Sequence, residues 1–240
     1  MKENERYIRQ MGISGWGEEV QAKLKNSRVC IVGVGGLGSP VSLYLAAAGV
    51  GSIVLCDYQD VELSNLNRQI LYDTGDIGGS KVKHAKERLL QLNPDITVSA
   101  VTGKIVDDTA PSVFESADII IDCLDSFESR FMLNRYAVKN RVPFVHAGIT
   151  EFYGQLAFIN PPRTPCLQCF ISPGAAESQA PPPVLGATAG VIGSLQAVVA
   201  LKALSGVFET GDSYFYTVDL LKMSFESIAL QKNPNCPVCG

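Results

Sequence analysis

The run Gly33-Val34-Gly35-Gly36-Leu37-Gly38 follows the strand-like segment Arg28-Val29-Cys30-Ile31-Val32 and precedes an alanine-rich helical stretch that reaches Gly49. Strand, glycine turn and helix in that order make a dinucleotide-type phosphate site. Glycine lets the backbone bend tightly and approach a phosphate, while the N–H groups and positive dipole end of the helix attract anions. Gly33, Gly35, Gly36 and Gly38 are the candidate cradle. The next strand, Ile53-Val54-Leu55-Cys56, ends at Asp57, about twenty residues past the turn, where a carboxylate accepts hydrogen bonds from ribose hydroxyls. These features specify an adenosine nucleotide but not its chemistry. Asn65-Leu66-Asn67-Arg68-Gln69 and Lys81 narrow the reading, because a triphosphate that is to be attacked needs fixed cations around it.

A second chemistry lies in the cysteines. Cys166-Leu167-Gln168-Cys169 and Cys236-Pro237-Val238-Cys239 supply two Cys-x-x-Cys pairs, and four thiolates suit tetrahedral zinc with no open coordination position. Such a site is structural and would fasten a proline-rich loop to the C-terminal tail. Pro237 lends the last pair a likeness to a redox Cys-Pro-x-Cys, but a redox thiolate needs a following helix N-terminus, and the sequence ends at Gly240. In a reducing compartment paired cysteines read as metal ligands before disulfides. The other three of the seven, Cys30, Cys56 and Cys123, fall in apolar strands and are expected to act as small core residues.

The elements that position these residues alternate strand, helix, strand, which implies a mostly parallel sheet covered on both faces. A helix is expected from Ser80 to Asn93, stopped by Pro94, then a strand from Ile96 to Val101. The apolar run Ile119-Ile120-Ile121-Asp122-Cys123-Leu124 ends at Asp125, a C-terminal strand end of the kind at which doubly wound sheets bind ligands. A helix from Glu128 to Lys139, a strand from Phe144 to His146 and a more peripheral strand from Tyr153 to Ile159 follow. Residues 161–183 hold seven of the thirteen prolines, which excludes regular helix or central strand. A helix from Ala187 to Leu204 and strands Tyr214 to Val218 and Ser224 to Leu230 complete the pattern. The 240 residues are expected to form one α/β domain, with a nucleotide-binding half at 1–160 and the crossing loop, helix, late strands and zinc site at 161–240.

Composition sets the limits. With 46% apolar and 18% charged residues the chain has a sizeable core, and its net charge of −4 argues against a broad nucleic-acid surface. The N-terminus lacks an apolar signal core, and the apolar runs are interrupted by Gly49 and Gly51, or by Gln196 and Lys202. A cytoplasmic protein without a membrane span is expected. His84 and His146 have no carboxylate or cysteine beside them in the sequence and are read as packing or surface residues, and Asp122 as orienting a strand end.

Together these residues resemble the ThiF/MoeB/HesA adenylyltransferases, bacterial relatives of ubiquitin-activating enzymes. The resemblance covers essentially the whole chain. It rests on Arg6-Tyr7-Ile8-Arg9-Gln10, the glycine turn, Asp57, Ser64-Asn65-Leu66-Asn67-Arg68-Gln69, Gly79-Ser80-Lys81, Asp122-Cys123-Leu124-Asp125, Val191-Ile192-Gly193-Ser194-Leu195-Gln196-Ala197 and the two cysteine pairs. It implies a Rossmann-like fold, ATP and magnesium as ligands, homodimerisation, and adenylation of the C-terminal Gly-Gly carboxylate of a small ubiquitin-like sulfur carrier, serving molybdopterin, thiamin or related sulfur transfer. By the same resemblance Asp57 would hold the ribose, Asn65, Arg68 and Lys81 would contact phosphates, Asp125 would bind magnesium, and Arg9 would reach the triphosphate of the neighbouring subunit.

Two departures from the family pattern stand out. Several members carry a cysteine in the crossing loop, whereas Ser178-Gln179-Ala180-Pro181-Pro182-Pro183-Val184-Leu185-Gly186 has none, so a separate sulfur donor is implied. Ser126 stands where asparagine often follows the magnesium aspartate. The competing readings are a relative that adenylates a peptide or tRNA base, a nicotinamide oxidoreductase, and a zinc-stabilised scaffold. The oxidoreductase would have no use for Asn65, Arg68 and Lys81 together, and the chain shows no hydride-handling Tyr-x-x-x-Lys. The tRNA version calls for a basic surface that the acidic balance disfavours.

Overall fold

The computed structural model describes residues 5–172, 182–208 and 213–240. Arg28–Val32 (β1), Ser52–Asp57 (β2), Thr97–Thr102 (β3), Ile119–Asp122 (β4), Phe144–Thr150 (β5), Tyr153–Ile159 (β6), Tyr214–Asp219 (β7) and Ser224–Ala229 (β8) form one eight-stranded sheet in the order β3-β2-β1-β4-β5-β6-β7-β8. From β3 to β5 neighbouring strands run parallel, and from β5 onward each pair is antiparallel. The helices are Ile8–Met11 (α1), Gly17–Asn26 (α2), Gly38–Ala48 (α3), Lys81–Leu92 (α4), Ala110–Val113 (α5), Phe127–Asn140 (α6) and Gly186–Ser205 (α7).

The period-two alternation of β1 divides the core between the two faces. Val29 and Ile31 join the cluster under α3, α4 and α7, while Cys30 and Val32 join the one that includes Val113, Phe131 and Leu133. All three isolated cysteines are buried core residues. A smaller cluster of Trp16, Val20 and Leu24 lies against Leu201 and Leu204, so the amphipathic α2 is held by α7.

The expected elements are present, but β5 runs on to Thr150 past the expected end at His146, and α1, α2 and α5 come in addition. Tyr153–Ile159 is not peripheral: β6 lies between β5 and β7, because a tight reversal at residues 151–152 returns the chain alongside β5. Helix α7 is long and apolar enough to span a membrane by length and composition. It instead supplies a core face, burying Thr188, Ala189, Ile192, Gly193, Gln196, Ala197 and Ala200. The proline-rich stretch contains only the short 3-10 turn Leu167–Cys169 among its described residues.

The crossing of α7 over α3 depends on Gly193, where a Cβ would lie 2.5 Å from Pro40 Cγ and 2.7 Å from the Leu37 carbonyl oxygen. An alanine inside a helix normally stabilises it relative to glycine. Here Gly193→Ala is expected to destabilise the protein by about 1–3 kcal/mol through overpacking, measured by denaturant unfolding; a stabilised variant would show that the crossing relaxes freely.

Candidate functional site

Strand register brings the site together. Val32 pairs with Cys56 and with Asp122, so β1, β2 and β4 end at one level, and the glycine turn, Asp57 and the Cys123-Leu124-Asp125 segment emerge side by side. The turn is packed against its neighbours. Gly33 has a positive φ of 91°, and a Cβ there would lie 2.5 Å from the Cys123 carbonyl oxygen. At Gly38, the first residue of α3, a Cβ would lie 2.1 Å from the Gly33 carbonyl oxygen.

Asp57 ties turn and strand together. One carboxylate oxygen accepts the Val34 N–H at 2.8 Å and the other the Gln59 N–H at 2.9 Å. Each oxygen keeps a lone pair for a further donor such as a ribose hydroxyl. On the other side of the same turn Tyr72 donates its hydroxyl to the Val34 carbonyl at 2.7 Å, and burial pushes that phenol well above its ordinary pKa. Tyr72 and Gln59 were not singled out from sequence, since neither lies in a recognisable motif.

The cations stand over this cradle. The aliphatic stem of Arg68 crosses Gly36, whose added Cβ would lie 3.5 Å from Arg68 Cγ, and the guanidinium donates to the Ser64 carbonyl at 2.8 Å and Asn67 Oδ1 at 3.1 Å. Asn65 is buried and uses Oδ1 to accept the Glu62 N–H at 3.2 Å. Lys81 opens α4 yet is only 2% exposed, and its Nζ donates to Gln59 Oε1 at 2.7 Å. Burial lowers its pKa, while the charges of Asp57 and Glu62 raise it, Arg68 lowers it and Asp125 raises it. One buried ammonium thus feels Asp57, Glu62, Arg68 and Asp125 together. Asp125 is exposed three residues beyond the end of β4, and Ser126 caps α6, accepting the Ser129 N–H at 3.3 Å.

Arg9 is not part of this assembly. Tyr7 and Gln10 place α1 against Ala48 and Gly49, at the C-terminal end of α3. The glycine turn meets the N-terminal end, about 16 Å away along an eleven-residue helix. The histidines also depart from expectation. His146 Nδ1 lies 2.7 Å from Asp122 Oδ2 and His84 Nδ1 lies 3.1 Å from Asp76 Oδ1, so both have carboxylate partners that sequence neighbours did not reveal.

The four cysteines of the two pairs converge. Their sulfurs lie within 4.8 Å of one another, with Cys166 and Cys236 at 3.6 Å, Cys169 and Cys239 at 3.5 Å, and Cys166 and Cys169 at 4.0 Å. Zinc–sulfur bonds near 2.3 Å in a tetrahedron demand sulfur separations of about 3.8 Å. The donor set fits zinc. Asn134 supports it from α6: its Oδ1 accepts the Leu167 N–H at 2.8 Å, and its carboxamide lies close enough to lower the Cys166 pKa against the larger effect of burial. Its buried Nδ2 completes no hydrogen bond, and a zinc thiolate at Cys166 would accept that N–H. Cys166→Ser is expected to abolish stoichiometric zinc and lower Tm, and Asn134→Ala to hasten zinc loss to a chromophoric chelator. Full zinc retention by Cys166→Ser would contradict the assignment.

Comparison with known proteins agrees with this arrangement. The ThiF family model matches residues 7–238. A sulfur carrier protein adenylyltransferase of Thermus thermophilus is 39% identical over 100% of this chain and 92% of its own length. The sulfur carrier protein ThiS adenylyltransferase of Escherichia coli is also 39% identical, over 98% of this chain and 94% of its own. Escherichia coli MccB, crystallised with ATP, superposes with a TM-score of 0.89 at 29% identity, covering 100% of this chain and 75% of that one. With a matched model across nearly its whole length and a sheet, cradle and cysteine cluster to go with it, the chain belongs to the ThiF family.

Proposed function

We propose that this protein uses magnesium ATP to adenylate the C-terminal Gly-Gly carboxylate of a small ubiquitin-like sulfur carrier, releasing pyrophosphate. The observation that carries this reading is the buried Lys81 ammonium, held by Gln59 of the loop after Asp57, together with the Arg68 stem that lies over Gly36 of the glycine turn. A carboxylate oxygen attacks the α-phosphorus, the bond to the bridging oxygen of the β-phosphate breaks, and pyrophosphate leaves with the electron pair. The acid is already ionised at neutral pH, so no general base is needed. Positioning and charge neutralisation do the work. Asp57 holds the ribose, and Asn65, Arg68 and Lys81 hold the phosphates. Asp125 would hold magnesium, which would supply charge neutralisation at the phosphates and which commonly binds through one or two carboxylates.

The protein works as a homodimer in which Arg9 serves the neighbouring active site; its distance from the cradle of its own chain supports this. The crossing segment has no cysteine between Cys169 and Cys236, which supports a separate sulfur donor, although residues 178–181 lie outside the described residues. Three buried thiols and a four-cysteine metal cluster suit a reducing cytoplasm.

ATP–pyrophosphate exchange with candidate carriers tests the proposal: intact Gly-Gly carriers should support exchange and carriers lacking the last two residues should not. Exchange that ignores the tail would transfer the reading to another acyl substrate. Arg68→Ala and Lys81→Met should lower turnover more than ATP affinity, since departing pyrophosphate carries the growing charge; equal losses would count against that role. ATP raises the depressed Lys81 pKa, so the complex binds a proton that the free protein releases at high pH. Affinity for ATP should therefore weaken as pH rises through the free-protein Lys81 pKa, below the ordinary lysine range, and titration calorimetry of Lys81→Met should lack this alkaline limb.

A further inference from the structure

Behind Asp125 lies a polar assembly that no step above uses. Asp122 and His146 are fully buried and Arg130 nearly so. Asp122 Oδ1 accepts the Leu124 N–H at 3.0 Å, and Arg130 donates through Nη2 to the Leu124 carbonyl oxygen. Both peptide groups of Leu124 are therefore held, and the second of them is the peptide that enters Asp125. The holders are themselves held. Asp122 Oδ2 meets His146 Nδ1 at 2.7 Å and Arg130 Nε at 3.7 Å, and its backbone carbonyl accepts Gln196 Nε2 at 2.8 Å. Arg130 Nε completes no hydrogen bond, so its contact with Asp122 is a charge pair, and its guanidinium sits 5.2 Å from the centre of the Phe127 ring.

His146 sits at the back of the assembly, with Gln155 Nε2 at 3.3 Å from its Nε2. Burial lowers the His146 pKa against the pull of Asp122, leaving a neutral ring. Nδ1–H then donates to Asp122 and Nε2 accepts from Gln155, the tautomer assigned from these partners. A buried ion pair is a poor source of net stability. Its retention next to a strand end that carries a metal-site candidate calls for another reason.

We infer that Asp122 is a positioning residue which, with Arg130 and His146, fixes the Leu124–Asp125 peptide and so sets where the Asp125 carboxylate meets a divalent cation. The inference rests on the adenylation reading only in giving Asp125 a metal. Outer partners of metal ligands typically change affinity by about 10–100-fold when removed, and here the coupling passes through one backbone peptide.

The test uses the full chain with the non-hydrolysable analogue AMPCPP and Mn2+, read by loss of the free Mn2+ EPR signal. Asp122→Asn and His146→Gln should weaken Mn2+ uptake about tenfold, while AMPCPP affinity in EDTA stays unchanged. A merely structural role would lower both affinities together or neither. Should Asp122→Asn fail to fold by thermal unfolding, His146→Gln and Arg130→Lys carry the same comparison. Unchanged Mn2+ uptake in folded variants overturns the inference. The readout needs no acyl substrate, so a wrong carrier leaves it intact, whereas an unaltered protein that takes up no Mn2+ with AMPCPP would overturn it along with the magnesium assignment.

Discussion

Val32 stands opposite Cys56 on one side and Asp122 on the other, so β1, β2 and β4 end at one level of the sheet, while β5, whose His146 stands opposite Asp122, runs on to Thr150. Everything that handles the nucleotide depends on that register. A slip of one residue would turn Asp57 or Asp122 to the other face, because side chains alternate along a strand. Burial on both faces prevents such a slip: β1 contributes Val29 and Ile31 to one core and Cys30 and Val32 to the other.

The register also explains how charge can gather without a bound partner. Lys81 is buried and is steadied by Gln59, whose own N–H is accepted by Asp57. The glycine turn is held through both polar groups of Val34, by Asp57 and by Tyr72. Such preorganisation spares the site a rearrangement when an anion arrives, which is where fixed electrostatics has its advantage over water. The cost is a depressed Lys81 pKa, which a phosphate bound beside it would raise.

The second half of the chain is fastened by other means. Residues 161–172 are rich in proline and make little regular structure, and the C-terminal residues after β8 form none. Four converging thiols supply a junction where burial alone is insufficient. Asn134 connects that junction to α6, the helix whose Arg130 grips the segment before Asp125. The cysteine cluster and the candidate site thus share one helix.

Local pattern was enough for a good part of this. Glycine turn, acidic strand end and following cations come in sequence between Gly33 and Lys81, so their order pointed to a candidate nucleotide site before any fold was known. The paired cysteines disclosed themselves for the same reason, since a zinc knuckle is local even when its partner knuckle is not. Tertiary structure decided what depends on distant neighbours. Asp122 and His146 are 24 residues apart and meet only because β4 and β5 are paired, so His146 looked like packing until its carboxylate came into view. Strand β6 looked peripheral until β7 returned from the far end of the chain to cover its open edge. Lys81 could have been an exposed helix start, and its burial was decided by the loop from Asp57 folding back over it. A sequence records which groups a site contains, while burial, and with it the strength of each charge, exists only once remote segments have excluded the water between them.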